Sequence, residues 1–155
     1  MTLKLAMIGS VSQATLREED LIPSFTTELE YQIGRNGAFL ALPENFPLRD
    51  RLASVIGEAQ DAFNEDATEL REDANAGDII NSLCDALDTF SPPYCSFGAH
   101  LGDGADFGFW PSMDAIEELP HGTSEDSEQG EDCKEVNDHG NVTVWSGGKA
   151  VLELV

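Results

Sequence analysis

Positive charge is scarce in this sequence. Its 155 residues include 8 lysines and arginines, and the lysines are only Lys4, Lys134 and Lys149. The chain also has 30 aspartates and glutamates, so its formal net charge at pH 7 is −22. Such a charge opposes binding to DNA, RNA or an anionic lipid surface, because the Coulomb energy of each contact is repulsive. We therefore expect neither a nucleic acid nor a membrane as a direct partner.

Long apolar runs and paired cysteines are also lacking. No stretch approaches the ~20 apolar residues that a membrane-spanning helix needs. The short apolar run near Met1 is not followed by the small-residue pattern of a secretory leader. Cys84, Cys95 and Cys133 are odd in number and have no CxxC spacing, which favours unpaired thiols in a reducing compartment. These absences predict a cytoplasmic protein.

Apolar content, by contrast, is ordinary. Apolar residues make up 41% of the chain, which is enough to fold and argues against a disordered acidic chain. The length suits one domain, so we expect a single folded unit over residues 1–155. Self-repulsion at this charge destabilises a compact state. The charge therefore reflects a binding function, plain solubility or adaptation to a salty environment, and composition alone leaves all three open.

The first part of the chain is predicted to be helical. Apolar side chains recur at the helical period over three stretches, residues 15–37, 48–74 and 79–90. A capping-box spacing at Thr15 and Glu18 predicts the first helix start. The second helix either continues to about Ala74 or breaks near Asn64. The third ends before Pro92 and Pro93, because the residue before a proline avoids the helical region.

The second part is predicted to form antiparallel strands. From Tyr94 on, short aromatic or β-branched runs alternate with glycines, and Asp103-Gly104 is a strong hairpin signal. Further turns are expected at 138–141 and 147–148, a short helix at 112–119, and a mobile acidic loop at 120–133. The predicted fold is α+β, with about three helices in residues 1–91 packed on a sheet of about four to five strands in residues 92–155.

Acidic residues are concentrated in two places. Five of them recur every three or four residues in the second predicted helix, at Glu58, Asp61, Glu65, Glu69 and Glu72. If that helix is continuous, they lie within an arc of about 80° over about 21 Å, a plausible substitute for a row of phosphates. The second concentration begins with Asp114, Glu117 and Glu118 and continues through the predicted loop. A solvated surface is the simpler interpretation of both. As binding elements, both would face lysines and arginines of a partner.

Catalytic and metal-binding patterns are weak. Cys95, His100, Asp106 and His139 lie near predicted turns, but their spacing matches no metal motif and no nucleophile elbow. Turn formation explains them more simply. The aromatic cluster from Tyr94 to Trp110 is expected in the core, although Trp110 and Trp145 could instead anchor a partner. We expect no enzyme activity, no catalytic residues, no metal and no cofactor.

Three segments of the second part share a resemblance. PPYCSFGAH (92–100), GDGADFGFWP (102–111) and VNDHGNVTV (136–144) resemble a module found in uncharacterised proteins of bacteriophages, prophages and plasmids. No activity is established for that group, so the resemblance assigns no catalytic residue. It implies a small protein of a mobile genetic element that acts in the cytoplasm of a bacterial host.

The functional prediction combines this context with the charge. We expect an acidic inhibitor or nucleic-acid mimic, such as an anti-CRISPR or anti-restriction protein, that binds a basic, nucleic-acid-binding host protein. The alternative is an accessory module of a phage or plasmid that binds another protein through its C-terminal sheet, with the charge serving solubility. An enzyme or metal protein is the third hypothesis. The sequence leaves the oligomeric state open.

Overall fold

The computed structural model describes all 155 residues and confirms the predicted α+β class. In chain order, its elements are β1 (Gly9–Ser12), α1 (Glu18–Arg35), α2 (Gly37–Leu40), α3 (Phe46–Asp61), α4 (Ala76–Asp88), β2 (Cys95–His100), β3 (Asp103–Pro111), α5 (Met113–Glu117), α6 (Ser124–Gln129), β4 (Cys133–Val136), β5 (Val142–Ser146) and β6 (Lys149–Leu154). The chain forms two compact units, one of residues 1–91 and 97–110, the other of residues 92–96 and 111–155. The single domain stays a prediction.

The first unit is built on three long helices. α1 packs against α3 and α4, and its first turn carries Glu18, Glu19 and Asp20, whose charges suit a helix N-terminus. Pro23 lies in the second turn of α1, where it lacks the N–H that would bond to the carbonyl of Glu19. The side chains that fill the core between the helices are fully buried; they include Phe25, Leu29, Leu52, Leu83, Leu87 and Phe90.

A three-stranded sheet with the order β1-β3-β2 belongs to the same unit. Phe25 of α1 meets Phe97 edge to face at 5.1 Å, and Phe97 meets Phe109 at 5.0 Å. Phe97 and Phe109 are buried, which confirms the predicted core role for these two residues. Strand β1 was not predicted. It pairs with β3 about a hundred residues away, with Ser10 opposite Gly108.

The second unit is a three-stranded antiparallel sheet with two short helices. Its strands are ordered β4-β5-β6, as the predicted turns require, and Ile116 of α5 joins Val144 and Leu152 in its core. The turn between β4 and β5 is held by Asn137, whose side-chain oxygen accepts hydrogen bonds from the amides of His139 and Asn141. Residues 120–122 extend the sheet beside β4.

Of the two alternatives for the second predicted helix, the early break is confirmed, because α3 ends at Asp61, close to Asn64, and an irregular loop follows. The predicted mobile loop was wrong. The segment 120–133 is not a loop throughout, because α6 forms within it. Thr123 and Asp126 make a reciprocal capping box at the start of α6, which satisfies amide groups that the helix itself leaves free.

Candidate acidic binding site

The loop after α3 is closed at its base. The amide of Arg71 donates to the carbonyl of Ala62 at 2.8 Å, and Phe63 and Leu70 form an antiparallel bridge just inside that bond. Phe63 and Leu70 also pack against the core of the first unit. Residues 62–71, called the acidic loop below, thus form a compact loop whose two ends lie together.

The tip of the acidic loop is held by Asn64. Its side-chain Oδ1 accepts hydrogen bonds from the amides of Thr68 at 3.0 Å and of Glu69 at 3.4 Å. The amide of Asn64 in turn donates to the carbonyl of Glu69 at 2.9 Å. Ala67 has a φ of 54°, a conformation that residues other than glycine adopt infrequently. The backbone of the tip is therefore fixed by local contacts.

The acidic loop presents its carboxylates to solvent. Glu65, Asp66 and Glu69 are all exposed, and no lysine or arginine side chain forms an ion pair with them. Across residues 58–78 there are eight acidic residues and one basic residue, a net charge of −7. This part of the surface combines dense negative charge with a defined backbone.

A cleft of about 340 Å³ lies between the base of the loop and the start of α4. Four carboxylates line it, those of Glu58, Asp61, Asp73 and Asp78, together with the guanidinium of Arg71. Arg71 pairs with Asp73 at 2.9 Å and donates to the carbonyl of Asp61. Its hydrogen bond and charge hold the pKa of Asp73 below the usual range. Arg71, the only basic residue that lines the cleft, is therefore already paired with Asp73.

The predicted acidic stripe does not exist as a straight helical row. Glu58 and Asp61 lie in the last turns of α3, whereas Glu65 and Glu69 lie in the acidic loop and Glu72 follows it. All five side chains are exposed. The helical stripe was wrong because the chain leaves the helix at Ala62. The same five residues are instead gathered around the loop and the neighbouring cleft.

The other predicted partner-binding residues belong to the second unit. Asp114 and Glu117 are exposed on α5, and Glu118 follows directly, while Ile116 between them is buried. The ammonium of Lys134 donates to the backbone carbonyl of Glu117 rather than to a carboxylate. α5 is thus a short amphipathic helix whose outer side is acidic.

Few of the acidic side chains are neutralised anywhere in the molecule. Ion pairs form at Arg17–Glu19, Arg49–Asp50 and Arg71–Asp73, and both partners are substantially exposed in each. Exposed pairs of this kind contribute little to stability. With 30 acidic residues in the chain, most carboxylates have only water and counterions as partners.

Three of the residues considered for metal or catalytic chemistry make hydrogen bonds that hold a turn or a strand pair. Nδ1 of His100 accepts from the amide of Gly102, and Asp103 accepts from the amide of Ala105. Asp106 accepts from the hydroxyl of Ser10 at 2.6 Å. No group of three or more His, Cys, Asp or Glu side chains is arranged to hold a metal ion. The turn role that sequence reasoning favoured fits His100 and His139, whereas Asp106 lies within β3 and bonds across to β1.

The three thiols are shielded from ionisation. Burial raises the pKa of Cys84 to about 11, with Asp85 and Asp88 adding to the effect. Burial also raises the pKa of Cys95 and of Cys133, and three nearby carboxylates act in the same direction on Cys133. Since the thiolate is the nucleophile and the metal ligand, these cysteines lack the activation that such chemistry needs.

One polar pair was missed by sequence reasoning. Oη of Tyr94 donates to Oδ2 of Asp132 at 2.5 Å within the second unit. Burial, and then this bond, raise the pKa of Tyr94 to about 12, while the same bond lowers the pKa of Asp132. A pairing between residues so far apart in the chain leaves no local signal in the sequence.

Together these features define an α+β protein with a strongly acidic, structured surface. None of its helices is both long enough and apolar enough to cross a membrane. Comparison with protein-family models, with curated proteins and with solved structures finds no match to this chain. The resemblance to phage, prophage and plasmid proteins accordingly stays a prediction.

Proposed function

We propose that this protein is a non-enzymatic inhibitor that occupies the nucleic-acid-binding site of a basic host protein. An anti-CRISPR or anti-restriction protein encoded by a mobile genetic element, acting in the cytoplasm of a bacterial host, is the class that fits best. The observation that carries the proposal is the acidic loop: Glu65, Asp66 and Glu69 stand on a backbone already fixed by Asn64.

Preorganisation matters because association costs entropy. A flexible acidic tail loses conformational freedom when it meets a basic groove, whereas a closed loop has lost most of that freedom on folding. The carboxylates of the loop and of the neighbouring cleft then provide a fixed array of negative charge, as a nucleic-acid backbone does. Lysines and arginines that normally bind phosphates are suitable partners for such an array.

The charge of the whole chain acts at longer range. At −22, the protein is steered toward a positive groove before any contact forms, which raises the association rate at low salt. Exposed charges are screened beyond roughly 10 Å at about 0.1 M salt. Binding to a basic partner is therefore expected to weaken markedly as ionic strength rises.

The alternative, an accessory module that binds through an aromatic surface on its sheet, has less support. Among the exposed large apolar side chains, the only aromatic ones are Tyr31 and Phe46, and both lie on helices. Neither Trp110 nor Trp145 is among them, and the indole of Trp145 donates to Glu135. A sheet face without an exposed aromatic patch favours the acidic surface as the binding element.

Capture from a bacterial lysate at low and at high salt tests the proposal. The expected result is retention of nucleic-acid-binding proteins at low salt and their loss at high salt. A variant carrying Glu65→Gln, Asp66→Asn and Glu69→Gln is expected to retain at least tenfold less of them, since charge-assisted contacts of roughly 1.5–3 kcal/mol each are removed.

A matched control separates the effect of where the three charges lie from the effect of how many are removed. Glu44→Gln, Asp85→Asn and Glu153→Gln remove the same three charges from exposed positions elsewhere, and capture is expected to change little. Circular dichroism verifies that both variants are folded. If the two triple variants behave alike, or if no nucleic-acid-binding protein is captured at low salt, the proposal is wrong.

A further inference from the structure

The four sheet edges of this molecule differ in how they are protected. On the edge strand β2, the amide of Phe97 donates to the Asp88 carboxylate at 2.8 Å. Residues 120–122 pair alongside β4. The remaining edge strand of the second sheet, β6, carries the charged residues Lys149 and Glu153. Covering segments and charged side chains are the usual means of preventing edge-to-edge pairing.

The edge strand β1 has neither form of protection. It is the outer strand of the order β1-β3-β2, and no other strand or side chain pairs with its free edge. Residues 5–16 contain no charged side chain, although a quarter of the whole chain is charged. An uncharged edge of this kind presents unpaired backbone N–H and C=O groups that can bind a further strand.

Apolar side chains beside β1 are left in solvent. Met7 is 84% exposed and Ile8 is 41% exposed. A groove of about 250 Å³ between β1 and α1 continues this surface past Tyr31, which is 58% exposed. Large apolar groups that cluster beside an open edge are typical of an interface rather than of a solvated surface.

The charge distribution shows where a second copy can approach. Two copies of a −22 chain repel each other, so they can approach closely only where carboxylates are few or engaged. Beside β1, Asp106 accepts from Ser10 at 2.6 Å and Glu28 accepts from Gln32 at 2.7 Å. The guanidinium of Arg35 lines the same groove as Glu28 and lies over the ring of Tyr31. This edge is thus a surface on which a second copy meets comparatively little repulsion.

We propose that β1 is the self-association surface of this protein, where two copies pair their β1 strands about a twofold axis into one continuous sheet. A twofold axis makes the paired strands antiparallel and gives each copy the same contacts. The register shift between Ser10 and Ser12 bends one end of the strand away. The shared ladder is therefore short, and the dissociation constant is expected in the range of about 10 to 100 μM, as for small interfaces.

Sedimentation velocity from roughly 1 to roughly 300 μM protein tests this inference, since dimerisation depends on concentration. The expected result is a shift from the 16.8 kDa monomer to a species of twice that mass. Dimerisation should be stronger at about 0.5 M than at about 0.05 M NaCl, because salt screens the repulsion between copies. Binding to a basic host protein responds to salt in the opposite direction, so failure of one proposal is distinguishable from failure of the other.

A double variant locates the interface. Met7→Glu with Ile8→Glu places charge on the free edge and is expected to raise the dissociation constant by at least about tenfold. Leu101→Glu with Met113→Glu adds the same charge at exposed apolar positions elsewhere, and dimerisation should be little affected. Hydrogen exchange at residues 8–12 should slow with rising concentration in the unmodified protein.

Three outcomes overturn the inference. The first is a monomer over the whole concentration range at both salt concentrations. The second is a dimer that Met7→Glu and Ile8→Glu leave intact while circular dichroism shows the native fold. The third is a dimer that both double variants weaken equally, because total charge rather than this edge would then control association.

Discussion

Tyr94 and Asp132 form a hydrogen bond of 2.5 Å that joins residues 38 positions apart in the sequence. Tyr94 directly follows Pro92 and Pro93 and has a φ of 60°, which is unfavourable for a residue with a bulky side chain. The bond to Asp132 therefore stabilises a backbone conformation that the sequence would not otherwise prefer. It also couples the stability of the second unit to pH.

The stability of the second unit is expected to fall at alkaline pH. The pKa of Tyr94 is about 12 in the folded protein, whereas an unperturbed tyrosine titrates near about 10. The protonated phenol is thus favoured by folding, so its contribution is complete below about pH 10 and is lost as the pH rises toward about 12. Urea unfolding between pH 8 and pH 11.5 measures the decrease.

The variant Tyr94→Phe isolates this contribution. It is expected to cost about 1–2 kcal/mol at neutral pH, where a hydrogen bond to a charged carboxylate is lost, and to flatten the alkaline decrease in stability. Tyr31→Phe changes an exposed tyrosine. It should leave both the stability at neutral pH and the alkaline decrease in stability unchanged. A Tyr94→Phe protein with the original alkaline profile would contradict the assignment.

Asn64 is expected to control the order of the acidic loop. Asn64→Ala removes the acceptor for the amides of Thr68 and Glu69, a loss comparable to that of a helix cap, about 1 kcal/mol. Hydrogen exchange should accelerate at residues 64–70 and remain unchanged in α4. Asn64→Asp retains an acceptor oxygen and should restore most of the protection. Equal exchange in all three proteins would show that Asn64 does not hold the tip.

Gly108 is expected to tolerate no larger residue. A Cβ at this position would overlap the carbonyl oxygen of Gly9 and lie 2.9 Å from Cα of Ser10, both on the paired strand β1. Gly108→Ala should therefore force the strands apart and cost roughly 1–3 kcal/mol. Gly104→Ala is the matched control in β3, because its Cβ would meet nothing within 4 Å. Chemical denaturation measures the free energy of unfolding of both variants. Equal values would contradict the expected clash at Gly108.

Added NaCl is expected to stabilise the fold. The net charge is −22 and the ion pairs that salt would screen are few and exposed, so reduced repulsion outweighs the weakened pairs. The melting temperature should rise by about 5 °C or more between about 0.02 and about 0.5 M NaCl. A melting temperature that falls with salt would mean that attractive pairs dominate.

How much of this fold could be predicted depended on how local each signal was. The helices around Leu29 and Leu83 and the turn at 138–141 follow from neighbouring residues, and they appear as expected. The first hairpin also forms, but its turn is at Leu101 and Gly102, because Asp103 and Gly104 belong to β3. Strand β1 depends on a partner strand about a hundred residues away, and four residues without a clear alternation gave no indication of it. The helix α6 did have a readable signal, the spacing of Thr123 and Asp126, which the high polarity of the segment obscured.

The candidate site was predicted in its residues but not in its geometry. The acidic positions from Glu58 to Glu72 recur at helical spacing, and the sequence left open whether the helix runs to about Ala74 or breaks near Asn64. In the structure α3 ends at Asp61, and Phe63 and Leu70 form a bridge and pack against the core of the first unit. Helical spacing of the acidic positions therefore did not reveal the loop on which three of them lie or adjoin.

The bond from the Arg71 amide to the Ala62 carbonyl has a practical consequence for protein engineering. Because the two ends of the acidic loop lie together, extra residues inserted between Glu65 and Asp66 need not alter the spacing of α3 and α4, and the entropy of closing a longer loop grows only slowly with length. A peptide tag or a foreign acidic segment can be grafted there while the scaffold stays the same. The molecule thus offers a surface position at which recognition elements can be exchanged.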